Sequence, residues 1–159
     1  MTAVVRPATR ADADSLLGLV DALADYERLP RPEPAARARL VEDAFGARQR
    51  IEVLLALDGD QPVGYALFFE TYSSFLALPT MYLEDLFVHP AARGARHGYR
   101  LFRAVAATAV ERGCGRMEWN VLKWNRLARD FYERLGAAPL ADWQMYRLEG
   151  EQLQRAAGA

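Results

Sequence analysis

In 159 residues the chain has a single cysteine and two histidines, and Lys123 is its only lysine. Each scarcity removes a class of protein. A lone Cys114 forbids a disulfide framework and a cysteine-based metal site. Metal binding needs more convergent ligands than His89 and His97 offer, so no metal is expected. A net charge of −1 lacks the basic excess of a nucleic-acid protein, and no nucleic-acid partner is expected. Apolar runs stay well short of the roughly 20 residues of a membrane span. Met1 to Pro7 has neither the charged nor the apolar region of a signal peptide, so the expected setting is the reducing cytoplasm with no membrane partner. Neither a Walker loop nor a Gly-x-Gly-x-x-Gly fingerprint occurs. The preference for arginine over lysine reads mainly as genomic base composition.

What remains is enough for one domain spanning 1–159, since 52% of the residues are hydrophobic and can bury a sizeable core. The positive charge gathers in one place. Tyr82 to Val88 reads as a strand closed by Pro90, and Leu101, Phe102, Val105, Ala106 and Ala109 recur at helical spacing up to a stop at Gly113. The loop between them, Ala91 to His97, delivers free backbone N–H groups at a helix N-terminus, where an anion is favoured. Arg93, Arg96, His97 and Arg100 add charge beside it, so a phosphate-bearing ligand fits.

Along the chain, Thr2 to Pro7 reads as a strand and Leu16, Leu17, Val20, Leu23 and Ala24 as one helical stripe with Asp12 or Asp14 as cap. After the Pro-rich break Leu29 to Pro34 comes a second helix to about Phe45. Ile51 to Leu57 and Pro62 to Tyr72 form a hairpin around Asp58-Gly59-Asp60-Gln61. Strands at Arg116 to Leu122 and Gln144 to Leu148 flank a helix at Asn125 to Leu135 that stops at Gly136. The predicted class is α/β (α+β), a central mixed twisted sheet of about six to seven strands flanked by helices. Its first strands pair as antiparallel hairpins, and the strand, helix and strand from Tyr82 to Leu122 make a right-handed parallel unit.

The basic loop resembles the Arg/Gln-x-x-Gly-x-Gly/Ala loop of the GCN5-related N-acetyltransferases, the GNAT superfamily, with Arg93 first, Gly98 last and Arg96 at the middle glycine position. Further segments are similar to the diamine branch, the spermidine/spermine and thialysine acetyltransferases. They are Arg6-Pro7-Ala8-Thr9, Ala24-Asp25-Tyr26-Glu27, Tyr82-Leu83-Glu84-Asp85-Leu86-Phe87-Val88, Trp124-Asn125, and Asp130-Phe131-Tyr132-Glu133-Arg134-Leu135-Gly136-Ala137. Departures fall at Arg96 and His97, and at Arg126-Leu127, where that branch usually has Glu-Pro. The resemblance implies the GNAT fold and acetyl-coenzyme A as co-substrate. It also implies a small-molecule primary amine, a polyamine or thialysine-like acceptor, acetylated by direct attack, and a homodimer. Another amine, a peptide N-terminus, or a non-catalytic coenzyme A-binding module are the alternatives.

Chemistry then assigns roles. An alkylammonium of pKa about 10 must lose a proton before it attacks a thioester, and the leaving thiolate must be neutralised. By resemblance Tyr132 is the acid at the coenzyme A sulfur, although its stripe with Ala128, Phe131 and Leu135 also reads as core. Glu84 is the base, working through water, and Asp85 and Glu27 provide negative charge for a cationic acceptor. On a regular strand Glu84 and Asp85 face opposite sides unless a bulge intervenes. The resemblance places the cofactor on Leu86, Phe87 and Val88, whose backbone N–H groups hold the carbonyl and pantetheine, on the loop Arg93, Gly94, Ala95, Arg96, His97, Gly98 and Tyr99, and on Asn125. Asn125 is also a good helix N-cap. Trp119, Trp124 and Trp143 read as core or interface aromatics, and the C-terminal strand with Trp143 and Tyr146 as a possible dimer interface.

Overall fold

The punctuation by Pro and Gly divides the chain much as predicted, and the computed structural model describes residues 4–158. The strands are β1 Val4–Pro7, β2 Glu52–Asp58, β3 Gln61–Ser73, β4 Leu78–Val88 and β5 Arg116–Glu118. The helices are α1 Ala13–Glu27, α2 Pro34–Phe45, α3 His97–Glu111, α4 Arg126–Arg134 and α5 Gly150–Ala156, with single 3-10 turns at Arg10–Asp12 and Pro90–Ala92. The chain divides into two compact units, Met1–Asn120 and Val121–Ala159.

The first unit is a five-stranded mixed sheet in the order β1-β2-β3-β4-β5. Neighbours are antiparallel from β1 to β4, and β5 joins β4 in parallel after the α3 crossover. The Asp-Gly signal forms its turn as expected, with Asp58 opposite Gln61. Period-two alternation then sends side chains into two layers. On one face Leu55, Leu57, Tyr65, Leu67 and Phe87 meet Leu16 and Leu19 of α1 and Ala44 of α2. On the other, Ala56, Ala66, Phe68, Met81 and Leu83 meet Leu101, Val105 and Ala109 of α3. The last three recur every fourth residue, as an amphipathic helix on a sheet requires. Burying a Leu of this kind is worth roughly 1.5–3 kcal/mol, so the stripe anchors α3 and the loop that leads into it.

Asp12 does not cap α1 through its side chain. Its carboxylate accepts two bonds from Arg6 at 2.8 Å each and one from the Thr9 N–H at 2.8 Å, which ties β1 to the first turn. The Arg6 guanidinium accordingly holds the Asp12 carboxyl well below the usual carboxylate range.

Three sequence expectations need correction. The sheet has five strands where six to seven were expected. The strand expected at Arg116 to Leu122 keeps its ladder only over Arg116–Glu118. No ladder forms over Gln144 to Leu148, and Trp143 and Tyr146 are 79% and 85% exposed. Alternating apolar residues mark a segment suited to a sheet, but a strand also needs a neighbour, and local pattern does not encode one. Thr2, at the start of the expected first strand, lies outside the described residues. In the second unit, α4 begins at Asn125, whose Oδ1 accepts from the Ala128 N–H at 3.2 Å, the N-cap that local chemistry predicts. It ends at Gly136, whose φ of 89° permits the Gly136-to-Glu133 and Ala137-to-Tyr132 bonds of a Schellman motif.

Candidate active site

The site begins with an irregularity in β4. Leu67 of β3 pairs with Asp85 and the next residue, Phe68, pairs with Leu83, so Glu84 is an extra residue with no partner across the ladder. Such a bulge shifts the strand's phase by one. Met81 and Leu83 face the α3 layer before it, while Leu86 faces that layer after it, and Asp85 shares the opposite face with Phe87 and Tyr65. The opposed orientation of a regular strand is thereby cancelled. Glu84 acts as a nearby negative charge on Asp85, Tyr65 and Tyr82 together.

The two acids occupy different environments. Glu84 is exposed, whereas the Asp85 side chain is largely enclosed and its Oδ2 accepts a hydrogen bond from the Tyr65 hydroxyl at 2.9 Å. Burial pushes the Asp85 carboxyl up to about 6; the Tyr65 bond opposes that rise, and Glu84 and Glu27 add to it. Burial also raises the Glu27 carboxyl. The Tyr65 hydroxyl is raised far above its ordinary value, first by burial and then by Asp85, so it remains a donor. Glu27 and Glu84 therefore place negative charge beside Asp85. Tyr65 was not among the expected site residues. Its only trace in the sequence is a hydroxyl in an apolar strand that otherwise offers Leu67, Phe68 and Phe69.

The edge of β4 carries the backbone donors. The β4–β5 ladder covers only Thr80 to Tyr82, so strand pairing on that edge ceases before the bulge. Beyond it, the His89 N–H donates to the Val63 carbonyl at 2.8 Å. By strand alternation Phe87 also points its backbone groups at β3, and Leu86 and Val88 point theirs toward the edge β5 does not cover. These are the two N–H groups expected to hold a thioester carbonyl and pantetheine arm.

At the far end of β4 the chain turns into α3. The first helical bond runs from the Arg100 N–H to the Arg96 carbonyl at 3.0 Å, which leaves the N–H groups of His97, Gly98 and Tyr99 without intrahelical acceptors. Gly94 and Arg96 lie at φ of 96° and 62°, a left-handed pair around Ala95 of the kind that gathers N–H groups into an anion-binding concavity. Arg96 thus occupies a left-handed backbone position of the kind that favours glycine, with its side chain exposed. Arg93 closes the turn by donating from Nε to the Val88 carbonyl at 3.1 Å, and its guanidinium lies 4.8 Å from the centre of the Tyr26 ring. The His97 ring is buried, 2% exposed, with Nδ1 unpartnered among the described residues, so what it presents to an anion is its backbone N–H. Open donors, a helix dipole and three arginines fit a pyrophosphate.

In the second unit the half-buried Tyr132 ring stands edge-on to Phe131 at 5.2 Å. Phe131 is half-buried as well. Trp124 is 56% exposed and Trp143 more so, which sets both apart from the core aromatics, whereas Trp119 packs edge-on against Phe102 of α3 at 5.4 Å. No cluster of His, Cys, Asp and Glu suited to a metal occurs among the described residues.

Anion-binding loop, open donor edge and acidic inner face lie on one strand and its continuation. Such an arrangement can hold a phosphate-bearing ligand at one end of the strand and a group attracted to negative charge at the bulge. The chain belongs to the acetyltransferase (GNAT) family, whose model matches residues 17–137. It is 33% identical to thialysine N-epsilon-acetyltransferase of Bos taurus over 98% of this chain and 97% of that protein. Over 57% of this chain and 40% of the other it is 45% identical to L-ornithine N5-acetyltransferase of Arabidopsis thaliana. An integron cassette protein from Vibrio cholerae has the same fold, at a TM-score of 0.83 and 24% identity, covering 100% of this chain and 99% of that one. The protein is an acetyl-coenzyme A-dependent N-acetyltransferase.

Two outcomes follow from this geometry. The folded Asp85 carboxyl keeps its proton to about pH 6, against an ordinary value of 3.8. Between those values the folded state binds more protons than the unfolded chain, so stability falls as pH rises through that window. Asp85→Asn should raise the unfolding free energy by about 2–3 kcal/mol at pH 7.5 and leave it unchanged near pH 4, measured by urea denaturation. For Arg96, a side chain at positive φ is strained by about 1 kcal/mol, so Arg96→Gly should raise the midpoint of thermal unfolding. A lower midpoint would show that the arginine side chain contributes more than its backbone costs.

Proposed function

We propose that the acceptor is a small cationic primary amine, a polyamine or an aminoalkyl amino acid, acetylated by direct attack without an acyl-enzyme. The observation that carries this reading is the acidic face at the bulge, where Glu84 of β4 and Glu27 at the end of α1 both act on Asp85, on the strand that runs into the phosphate loop. A second positive charge on the acceptor is matched there, and the names of the similar thialysine and ornithine acetyltransferases support the same chemistry.

In this mechanism, the N–H groups of His97, Gly98 and Tyr99, with Gly94, Ala95, Arg93 and Arg96 of the loop, hold the pyrophosphate of acetyl-coenzyme A. Leu86 and Val88 supply backbone donors on either side of Phe87, and the tetrahedral oxyanion needs such donors already in place. Glu84, exposed to solvent, removes the ammonium proton through a water, and the freed amine attacks the thioester carbon. The C–N bond forms, the C–S bond breaks and Tyr132 gives its proton to the departing thiolate; the attacking nitrogen loses its second proton as the amide forms, and that proton returns the Tyr132 phenolate to its neutral form. Asn125 caps α4, and family resemblance assigns it to cofactor binding. We further assign the enzyme a homodimer, for which the exposed aromatic segment around Trp143 and Tyr146 offers apolar surface. A reducing cytoplasm suits its single free thiol, Cys114, and no helix among the described residues is long and apolar enough to cross a membrane.

Release of coenzyme A in the presence of spermidine, thialysine, lysine and ornithine tests the reading. Turnover with at least one of them is expected, and Tyr132→Phe should then lower kcat about a hundredfold with little change in KM. An unchanged kcat removes Tyr132 as the acid. No turnover with any amine, together with no rise in unfolding midpoint on adding acetyl-coenzyme A, sinks the proposal as a whole.

A further inference from the structure

Tyr65 is 0% exposed and sits in the β2–β3–β4 core beside Phe87, with ring centres 6.5 Å apart. Packing alone asks only for a ring at that position. A phenylalanine supplies one without the cost of burying a hydroxyl, which is tolerable only when the hydroxyl is hydrogen-bonded. Its partner is Asp85 Oδ2, at 2.9 Å. The bulge at Glu84 makes the pairing possible, because it turns Asp85 onto the face that Tyr65 occupies.

The surroundings of Asp85 say what the pair is for. Glu27 approaches from α1, Glu84 from the same strand and Tyr65 from β3, and no cation figures among the groups that act on the Asp85 carboxyl. Arg93 of the loop that follows is engaged with the Val88 carbonyl and the Tyr26 ring. Among the described residues Oδ1 accepts no protein hydrogen bond. A carboxylate enclosed among other acids, fixed by one oxygen and with no protein donor on the other, suits a cation from outside.

We propose that Tyr65 is a positioning residue of the acceptor site, holding Asp85 by Oδ2 so that Oδ1 receives the ammonium group of the acceptor. This rests on the proposed amine acceptor. It adds a determinant of cation recognition in the hydrophobic core, separate from the base and the acid. The Tyr65 hydroxyl stabilises the ionised form of Asp85, so its removal favours the protonated form, which binds a cation poorly.

The experiment is the pH dependence of kcat/KM for the best acceptor in the native enzyme and in Tyr65→Phe, with KM for acetyl-coenzyme A measured alongside. The native enzyme should lose kcat/KM below the ionisation of Asp85. Tyr65→Phe should move that acid limb upward by about one pH unit and raise the acceptor KM about tenfold at pH 7. Neither kcat nor the KM for acetyl-coenzyme A should change comparably. Asp85→Asn should abolish the limb, and adding Tyr65→Phe to it should cost nothing more. An acid limb and acceptor KM unmoved in Tyr65→Phe would overturn the inference, as would a uniform fall in kcat with no shift in pH, the mark of a purely structural role. A native enzyme inactive on every primary amine would overturn the proposed acceptor class itself, a result distinct from either of these.

Discussion

The extra residue in β4 is the constraint on which the site depends. Without the bulge at Glu84, strand alternation would put Glu84 and Asp85 on opposite faces, and only one would serve the acceptor. With it, Asp85 joins Tyr65, the backbone donors of Leu86 and Val88 fall on the edge that β5 leaves uncovered, and the strand runs on into the anion-binding turn. One local irregularity thus aligns the three proposed functions along a single strand. The cost is a broken ladder step, and the two packed layers on either side of the sheet stabilise the strand around it.

The enclosed Asp85 extends the same trade. Burial raises its carboxyl to about 6, so its charge at neutral pH works against folding. The same burial makes the charge effective toward a cation, since an opposite charge in a poorly solvated site is attracted more strongly than one in bulk water. Arg96 is a second strained element. It occupies a left-handed position that suits glycine, yet the turn around Ala95 and the three open N–H groups of α3 keep their arrangement.

Much of this was legible in the residues. Helical spacing of Leu101, Val105 and Ala109, the Asp58-Gly59 turn, the stops at Gly113 and Gly136 and the cap at Asn125 are local signals, and the structure realises each where it was expected. Features that depend on a partner distant in sequence were less visible. The bulge shows only in the pairing of β4 with β3; a strand at Gln144 to Leu148 needed a neighbour that local pattern does not specify. Tyr65 looked like one more aromatic in an apolar strand, because its hydroxyl acquires meaning only when Asp85 is placed 2.9 Å away. Arg96 was anticipated as a departure from a glycine position, while its positive φ of 62° belongs to the folded backbone alone.

That phosphate cradle and acidic face serve a single transfer reaction is the central claim, and it is tested most directly by calorimetric titration with a bisubstrate analogue joining coenzyme A through its sulfur to a diamine. If both ends are held at once, the analogue binds at least about a hundredfold more tightly than coenzyme A alone, and Asp85→Asn removes most of that advantage. Equal affinity for the analogue and for coenzyme A, in the native enzyme and the variant alike, would contradict the account.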